Sequence, residues 1–430
     1  IRDLIVTGVQ TCALPICLKY IIIKVKINKK NLLMFTSEYP YGIRSEPFLE
    51  NEIWYLANAF NKILIFPSSR QKYCRKLPVN VEVVDLITNP LLSKFKKILL
   101  LLKYINLTTP IILLEIKDKG LTTIVFNLRV ALDILSLQLY KFEILKKYIK
   151  TSNIKIEIAY DYWFVDSVLA LCFLKRKKLI KKIITRSHEF DVFDKTKWGI
   201  PYRLYQMKKI DKMYTISKYN KKYLDTKIDS KLAAKITVSY LGVPKNNTIS
   251  KSRSSSHKVI VTCARLEEYK NVHLIPDVLR LLKTPIKWVL FGNGNMFEAI
   301  EKKVQHLPEN IQVELFGHIP NVDILNYYKK NHVDLFLCMS SSEGLPVSMM
   351  EALSFNIPIV SYAVNGIPEI VIDGVTGFLF YNYNKYDEVA YTIQRALNYS
   401  FQKEKMEKVH SDYFDSDNNY NAFALEISSY

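Results

Sequence analysis

From Asn31 onward the chain alternates short apolar runs with stretches in which apolar residues recur every three or four positions. NLLMFTSEY (31–39), ILIFPSS (63–69), VEVVDL (81–86) and the run 333–338 predict buried strands, whereas PFLENEIWYLANAF (47–60) has helical spacing. Residues 91–150 turn helical and basic, with Lys94, Lys96, Lys97 and Lys103 interleaved with Phe95 and a leucine run. IKIEIAYDYWFVDSVLALCFL (154–174), KIITRSHEFDVFD (182–194), KMYTISKYN (212–220, with Ser217 as a helix cap) and ITVSYLGVP (236–244) complete a first strand–helix series. A polar stretch, KNNTISKSRSSSHK (245–258), breaks it, and VIVTCARLEEYKNVHLIPDVLRLL (259–282) starts a second series. Strands alternating with helices predict parallel, doubly wound α/β sheets.

The expected division is therefore a start at 1–30 that lies outside the fold, artefactual or disordered, a first Rossmann-like domain at 31–245, a second at 258–400, and a helical segment at 401–430. Residues 1–16, IRDLIVTGVQTCALPI, resemble a translated sequencing adapter and are set aside from fold reasoning. Charge is uneven. Residues 1–250 carry 44 Lys+Arg against 20 Asp+Glu, a net +24, whereas 251–430 carry 17 against 21, a net −4. A basic half raises the local concentration of anions. With no helix-turn-helix, zinc-finger spacing or RNA-binding aromatic motif, an anionic membrane surface is favoured over nucleic acid. The best apolar candidate for a bilayer span is interrupted by Lys97 and Lys103. The six cysteines, Cys12, Cys17, Cys74, Cys172, Cys263 and Cys338, form no metal-ligand pair, and Cys263 and Cys338 fall in apolar strand patterns.

The chemistry concentrates in MSSSEGLPVSMMEALSFNIPIVSYAVNGIPEIVIDGVTG (339–377). Glu343 and Glu351 stand eight apart with Gly344-Leu345-Pro346 after the first, and Pro346 suits the first position of a helix that starts between them. Carboxylates accept hydroxyl hydrogen bonds, and helix-start N–H groups receive phosphate. Arg265 and Lys270, five apart on a loop past a strand, suit a diphosphate, one as a planar fork and the other as a point charge. Gly292 and Gly294 permit close backbone approach; Arg186, His188, Glu189 and Asp191 cluster at a strand end, as ligand sites do at the carboxyl edge of parallel sheets.

Glu343, Gly344, Pro346, Glu351, Ala352, Gly366, Pro368, Glu369, Gly374 and Gly377 together resemble the donor-binding signature of retaining glycosyltransferases of the family 4, group 1 type, whose fold is GT-B: two Rossmann-like domains facing across a cleft. Asn365 stands where that family commonly has a second glycine, and Asn tolerates left-handed backbone angles. The resemblance runs from about 31 to 427. It implies that Arg265 and Lys270 hold the donor diphosphate, Glu343 with Gly344, Leu345 and Pro346 reads the sugar, Glu351 takes the ribose, and His188 lines the reaction centre. The YPYG turn with Gly42, and Gly317 with His318, resemble the family's phosphate-side and base-side loops, although Arg44-Ser45 replaces a frequent glycine; Arg44, Glu46, Arg186 and Asp191 are acceptor-side candidates. The same resemblance implies a nucleotide-diphosphate sugar as co-substrate, no cofactor and no bound metal, a glycan or lipid-linked acceptor, no nucleic-acid partner, and a cytoplasmic place, peripheral on the inner face of the cytoplasmic membrane. A GT-B nucleotide-sugar epimerase, acting on the donor alone, and an inactive sugar-nucleotide-binding protein are the alternatives.

Overall fold

The computed structural model describes residues 29–42, 46–86, 90–164, 167–189, 191–192, 200–246 and 256–430, with backbone alone for 121–127. The expectations placed on 1–28 and on Arg44 lie outside the described residues.

The first domain runs β1 (Asn31–Thr36), α1 (Leu49–Ala59), β2 (Lys62–Pro67), β3 (Val81–Val83), α2 (Lys94–Lys103), α3 (Ile105–Lys119), α4 (Leu121–Thr151), β4 (Ile158–Asp161), α5 (Val168–Arg176), β5 (Lys182–Ser187), α6 (Arg203–Lys209), β6 (Lys212–Thr215), α7 (Lys218–Asp225), α8 (Ser230–Ala233) and β7 (Ile236–Val238). Its seven strands are parallel, in the order β3-β2-β1-β4-β5-β6-β7. The second domain runs β8 (Lys258–Cys263), α9 (Ile275–Leu279), β9 (Ile286–Phe291), α10 (Phe297–Val304), β10 (Ile311–Gly317), α11 (Asn321–Lys330), β11 (Leu335–Cys338), α12 (Val347–Ser354), β12 (Ile359–Tyr362), β13 (Gly377–Phe380) and α13 (Tyr386–Asn398). Its six strands, also parallel, run β10-β9-β8-β11-β12-β13.

Both sheets thus follow one rule: three strands are laid down in one direction, then the chain returns to the first and builds the other way. The order reverses between β1 and β4 and again between β8 and β11, which is where a doubly wound sheet opens a crevice at its carboxyl ends. The strands read as unbroken apolar runs because helices cover both faces. Leu33, Phe35 and Leu64 pack on one face of the first sheet, and Leu32, Met34 and Ile63 on the other.

Some predicted boundaries move. Pro67, without an N–H, ends β2, and β3, at the sheet edge, pairs over Val81–Val83 rather than 81–86. Pro346 caps α12 and Val347 is its first residue, a shift of one position. The 91–150 stretch is three helices, with α2 and α3 meeting at a bend of 94°.

After α13, α14 (Lys403–Val409) and a π-helical turn at His410–Phe414 bring the chain back across, and α15 (Ser416–Ser429) packs on α1, its Phe423, Ala424 and Ile427 entering the first domain's core. The two crossings touch. Val243 N–H donates to Phe414 O (2.9 Å) and Ser416 N–H to Val243 O (3.2 Å), while a Cβ on Gly242 would stand 2.5 Å from Ser416 Cα.

Candidate active site

A cleft of about 1200 Å³ separates the two carboxyl edges, lined from the first domain by Phe48, Trp163, His188 and Glu189 and from the second by Arg265, Lys270, Glu343 and Glu351. Each second-domain residue is placed by the switch point: Arg265 and Lys270 lie on the loop after β8, and Glu343 on the loop after the neighbouring β11. The two cations are not equivalent. Arg265 is exposed to the cleft and makes no ion pair with any described residue, whereas Lys270 is bound to the Glu343 carboxylate as a largely buried pair. Burial works against the Lys270 charge, but the Glu343 carboxylate and its hydrogen bond outweigh it and raise the pKa.

Gly344, Leu345 and Pro346 also line the cleft. The first bonds of α12 are Met349 and Met350 N–H to Pro346 O, so the N–H groups of Val347 and Ser348 have no acceptor within the helix and point its positive end at the cavity. Glu351, one turn inside α12, is partly covered and accepts from Asn321 Nδ2 (2.9 Å), the first residue of α11. Burial holds its pKa up to about 7, and the Asn321 bond pulls the other way. Cys263, nearby on β8, is a thiol whose pKa burial pushes up to about 12.

His188, at the end of β5, is buried with its ring 4.1 Å from that of Trp163 and 4.7 Å from that of Tyr162, centroid to centroid. Burial lowers its pKa, so the imidazole is neutral near pH 7. Its Nδ1 stands 3.9 Å from Asp191 Oδ2, too far for a hydrogen bond, and neither ring nitrogen has a hydrogen-bond partner among the described residues. Asp191 instead accepts from the backbone N–H of His188 (2.7 Å) and Phe164 (3.1 Å), fixing the loop and not the ring.

Several other predicted residues sit elsewhere. Arg186 is fully buried beneath the site, 3.2 Å from Glu52 Oε2 and stacked at 4.2 Å on Phe423 of α15, so it cannot reach an acceptor in the cleft. Glu46 is also buried. Its carboxylate accepts the N–H groups of Ser37 (3.0 Å), Glu38 (2.9 Å) and Tyr39 (2.7 Å) and Trp163 Nε1 (2.5 Å), which makes it a brace between the β1 loop and the tryptophan beside His188. Gly42 lies away from the cleft, its N–H on Tyr73 O (2.9 Å). Gly292 and Gly294 line the cleft, yet what demands glycine is the neighbouring loop: a Cβ would stand 1.9 Å from Ala264 O at one and 2.6 Å from Leu266 O at the other. Gly317, at φ +65°, sits outside the cleft lining and accepts from Gly292 N–H (2.8 Å).

Sequence reasoning did not find Asn321, Lys329, Asn246 or the Glu189–Ser342 hydrogen bond that crosses between the domains. It gave no task to Glu369, whose carboxylate accepts the first two N–H groups of α7, Lys218 (2.9 Å) and Tyr219 (2.8 Å), and Tyr240 OH (2.7 Å). No group of three metal-ligating side chains occurs among the described residues.

The two facing sheets, each switching order above one cleft, define the GT-B fold. A lipopolysaccharide outer core galactosyltransferase, WaaB, has this fold at a TM-score of 0.66 and 17% identity, covering 93% of this chain and 100% of its own. So does an Anabaena protein, Alr3699/HepE, solved in complex with UDP and glucose, at a TM-score of 0.60 and 15% identity over 94% of this chain and 100% of its own. Residues 245–410 match the family model described as Glycosyl transferases group 1. Among curated proteins, the amylovoran biosynthesis glycosyltransferase AmsK of Erwinia amylovora is 29% identical over 158 residues, 34% of this chain and 38% of that protein's length.

Proposed function

We propose that the chain is a retaining glycosyltransferase of the family 4 type that moves a sugar from a nucleotide-diphosphate donor to a hydroxyl of a lipid-linked glycan in bacterial surface polysaccharide synthesis. The observation that carries this is the convergence of Arg265, Lys270, Glu343 and Glu351 in one cleft with His188 on the opposite wall. The amylovoran role of the Erwinia relative supports a surface glycan, and the UDP and glucose of the Anabaena protein support a nucleotide sugar.

In this reading Arg265, exposed to the cavity and without an ion pair among the described residues, meets the diphosphate first, and Lys270 turns from Glu343 toward it as charge develops on the leaving group. Glu343, relieved of the lysine, accepts sugar hydroxyls alongside the Gly344–Pro346 backbone. Glu351 accepts the ribose hydroxyls. Neutral His188, with neither ring nitrogen hydrogen-bonded among the described residues, hydrogen-bonds at the reaction centre. The cleft walls exclude water and protect the donor. The basic first domain supports a position at the inner face of an anionic membrane, beside a lipid-linked acceptor.

The test is the mass of the product formed from membrane lipid and a panel of nucleotide sugars, with Lys270→Ala as control. Transfer should fall at least about tenfold in that variant, about 1.4 kcal/mol of transition-state stabilisation. Full activity in Lys270→Ala, or donor conversion without any acceptor, refutes the assignment.

A further inference from the structure

Helix α2 turns its apolar stripe away from the protein. Phe95, Ile98, Leu99 and Leu102 follow the i, i+3, i+4, i+7 spacing that normally faces a core, yet they are 71%, 55%, 48% and 62% exposed, and Ile105 at the start of α3 continues the strip at 53%. Only Leu100 of this helix is buried. Polar contacts on its other side fix this orientation. Lys97 pairs with Asp133 (2.6 Å), Lys103 with Glu143, and Lys96 Nζ lies 4.5 Å over the Tyr140 ring, all on α4.

We propose that this face of α2 docks into the interfacial zone of an anionic lipid bilayer. At 10 residues the helix is about 15 Å long, half of the ~30 Å hydrocarbon core, and α3 leaves it at 94°, so α2 lies in the membrane plane and does not cross it. Among the described residues no single helix is long and apolar enough to cross a membrane. The stripe supplies the inserted side chains, and Lys94, exposed at its edge, extends its stem along the apolar layer with its ammonium group among the headgroups. The +24 of residues 1–250 complements a negative leaflet. A second copy of the chain fits less well, since the same face would bring Lys94 and Lys96 of both molecules together. The inference deepens the lipid-acceptor reading but stands on the exposed stripe, and lipid binding is measured without donor or acceptor, so the two fail separately.

The experiment is cosedimentation of the full chain with vesicles of phosphatidylcholine alone or mixed with phosphatidylglycerol, at low and high salt. The wild type should partition into the anionic vesicles. Ile98→Ser with Leu102→Ser should weaken partitioning at least about tenfold, and Lys94→Gln with Lys96→Gln should weaken it and flatten its salt dependence. Leu102→Trp, whose fluorescence should be quenched by brominated phosphatidylglycerol, keeps the question open to test if the double serine variant does not fold. No partitioning of the wild type, undiminished partitioning of the folded serine variant, an unquenched Trp, or a dimer in solution that the serine variant dissolves would each overturn the proposal.

Discussion

Replacing Glu351 by Gln should make the empty protein more stable and the nucleotide complex weaker. The carboxyl is partly buried at the cleft wall with one hydrogen bond, from Asn321, and burial raises its pKa from an ordinary 4.5 to about 7. Taken whole, that rise corresponds to about 3.4 kcal/mol between the two protonation states, and partial solvent access cuts it to ~1–2 kcal/mol. The sign follows from linkage. A carboxyl with a raised folded pKa binds more protons folded than unfolded between the two values, so wild-type stability falls as pH rises from about 4.5 through about 7. The amide has no charge to desolvate and can still accept from Asn321. Urea unfolding of Glu351→Gln should therefore match the wild type near pH 4.5 and exceed it by ~1–2 kcal/mol at pH 8. Calorimetry should show the opposite for a nucleoside diphosphate. Losing the charged acceptor proposed for the ribose should cost ~1.5–3 kcal/mol, roughly 10- to 100-fold in affinity, and the wild type's gain in affinity through pH 7 should vanish. A variant less stable than the wild type at pH 8, or a stability difference independent of pH, refutes the argument.

Arg186→Met should cost ~3–5 kcal/mol in urea unfolding, because Glu52 is left buried without its cation; adding Glu52→Gln should recover much of that, and a neutral single variant would mean that the pair is not buried as described. Gly366→Ala places a Cβ 2.0 Å from Gly344 O, so it should raise the donor KM while secondary structure by circular dichroism is unchanged; unaltered KM would show that the donor loop absorbs the push.

The two sheets were legible because strands covered on both faces read as apolar runs, and once their order is known the loops after β8 and β11 must adjoin, bringing Arg265 and Lys270 to Glu343. Side-chain pairing was less legible. Asn321 is 30 positions from Glu351 and carries no local signal of facing it. Glu46 showed as a loop acid, but whether a loop acid reads a ligand or gathers its own backbone N–H groups depends on how the loop folds, and here four donors converge on it. Arg186 lies two residues before His188 on a strand, where alternate side chains share a face, yet its chain ends in the core because α15 covers that region from the far end of the sequence. In α2 the period of the apolar residues was plain, and which way the stripe faced was not.

The cross-domain junction shows what holds the cleft in the observed state. A Cβ on Gly344 would stand 2.7 Å from His188 O, so the loop between β11 and α12 rests directly on the backbone of the histidine across the cleft. Gly366 in turn backs onto Gly344 O, and three residues later Glu369 caps α7 jointly with Ser217, which accepts from Asn220 N–H (3.1 Å). Asn220 then donates to His188 O, closing a circuit of backbone and short polar side chains through both domains. Opening the cleft must break the three bonds of Glu369 and that of Ser342 to Glu189. At ~1 kcal/mol net for a typical hydrogen bond, that is a few kcal/mol, within the range a donor bridging Arg265 and Glu351 can supply by binding one state in preference to the other. The glycines at 344 and 366 are therefore under a steric demand that is independent of any ligand, and the signature in which they sit records how the two domains meet as much as what they bind.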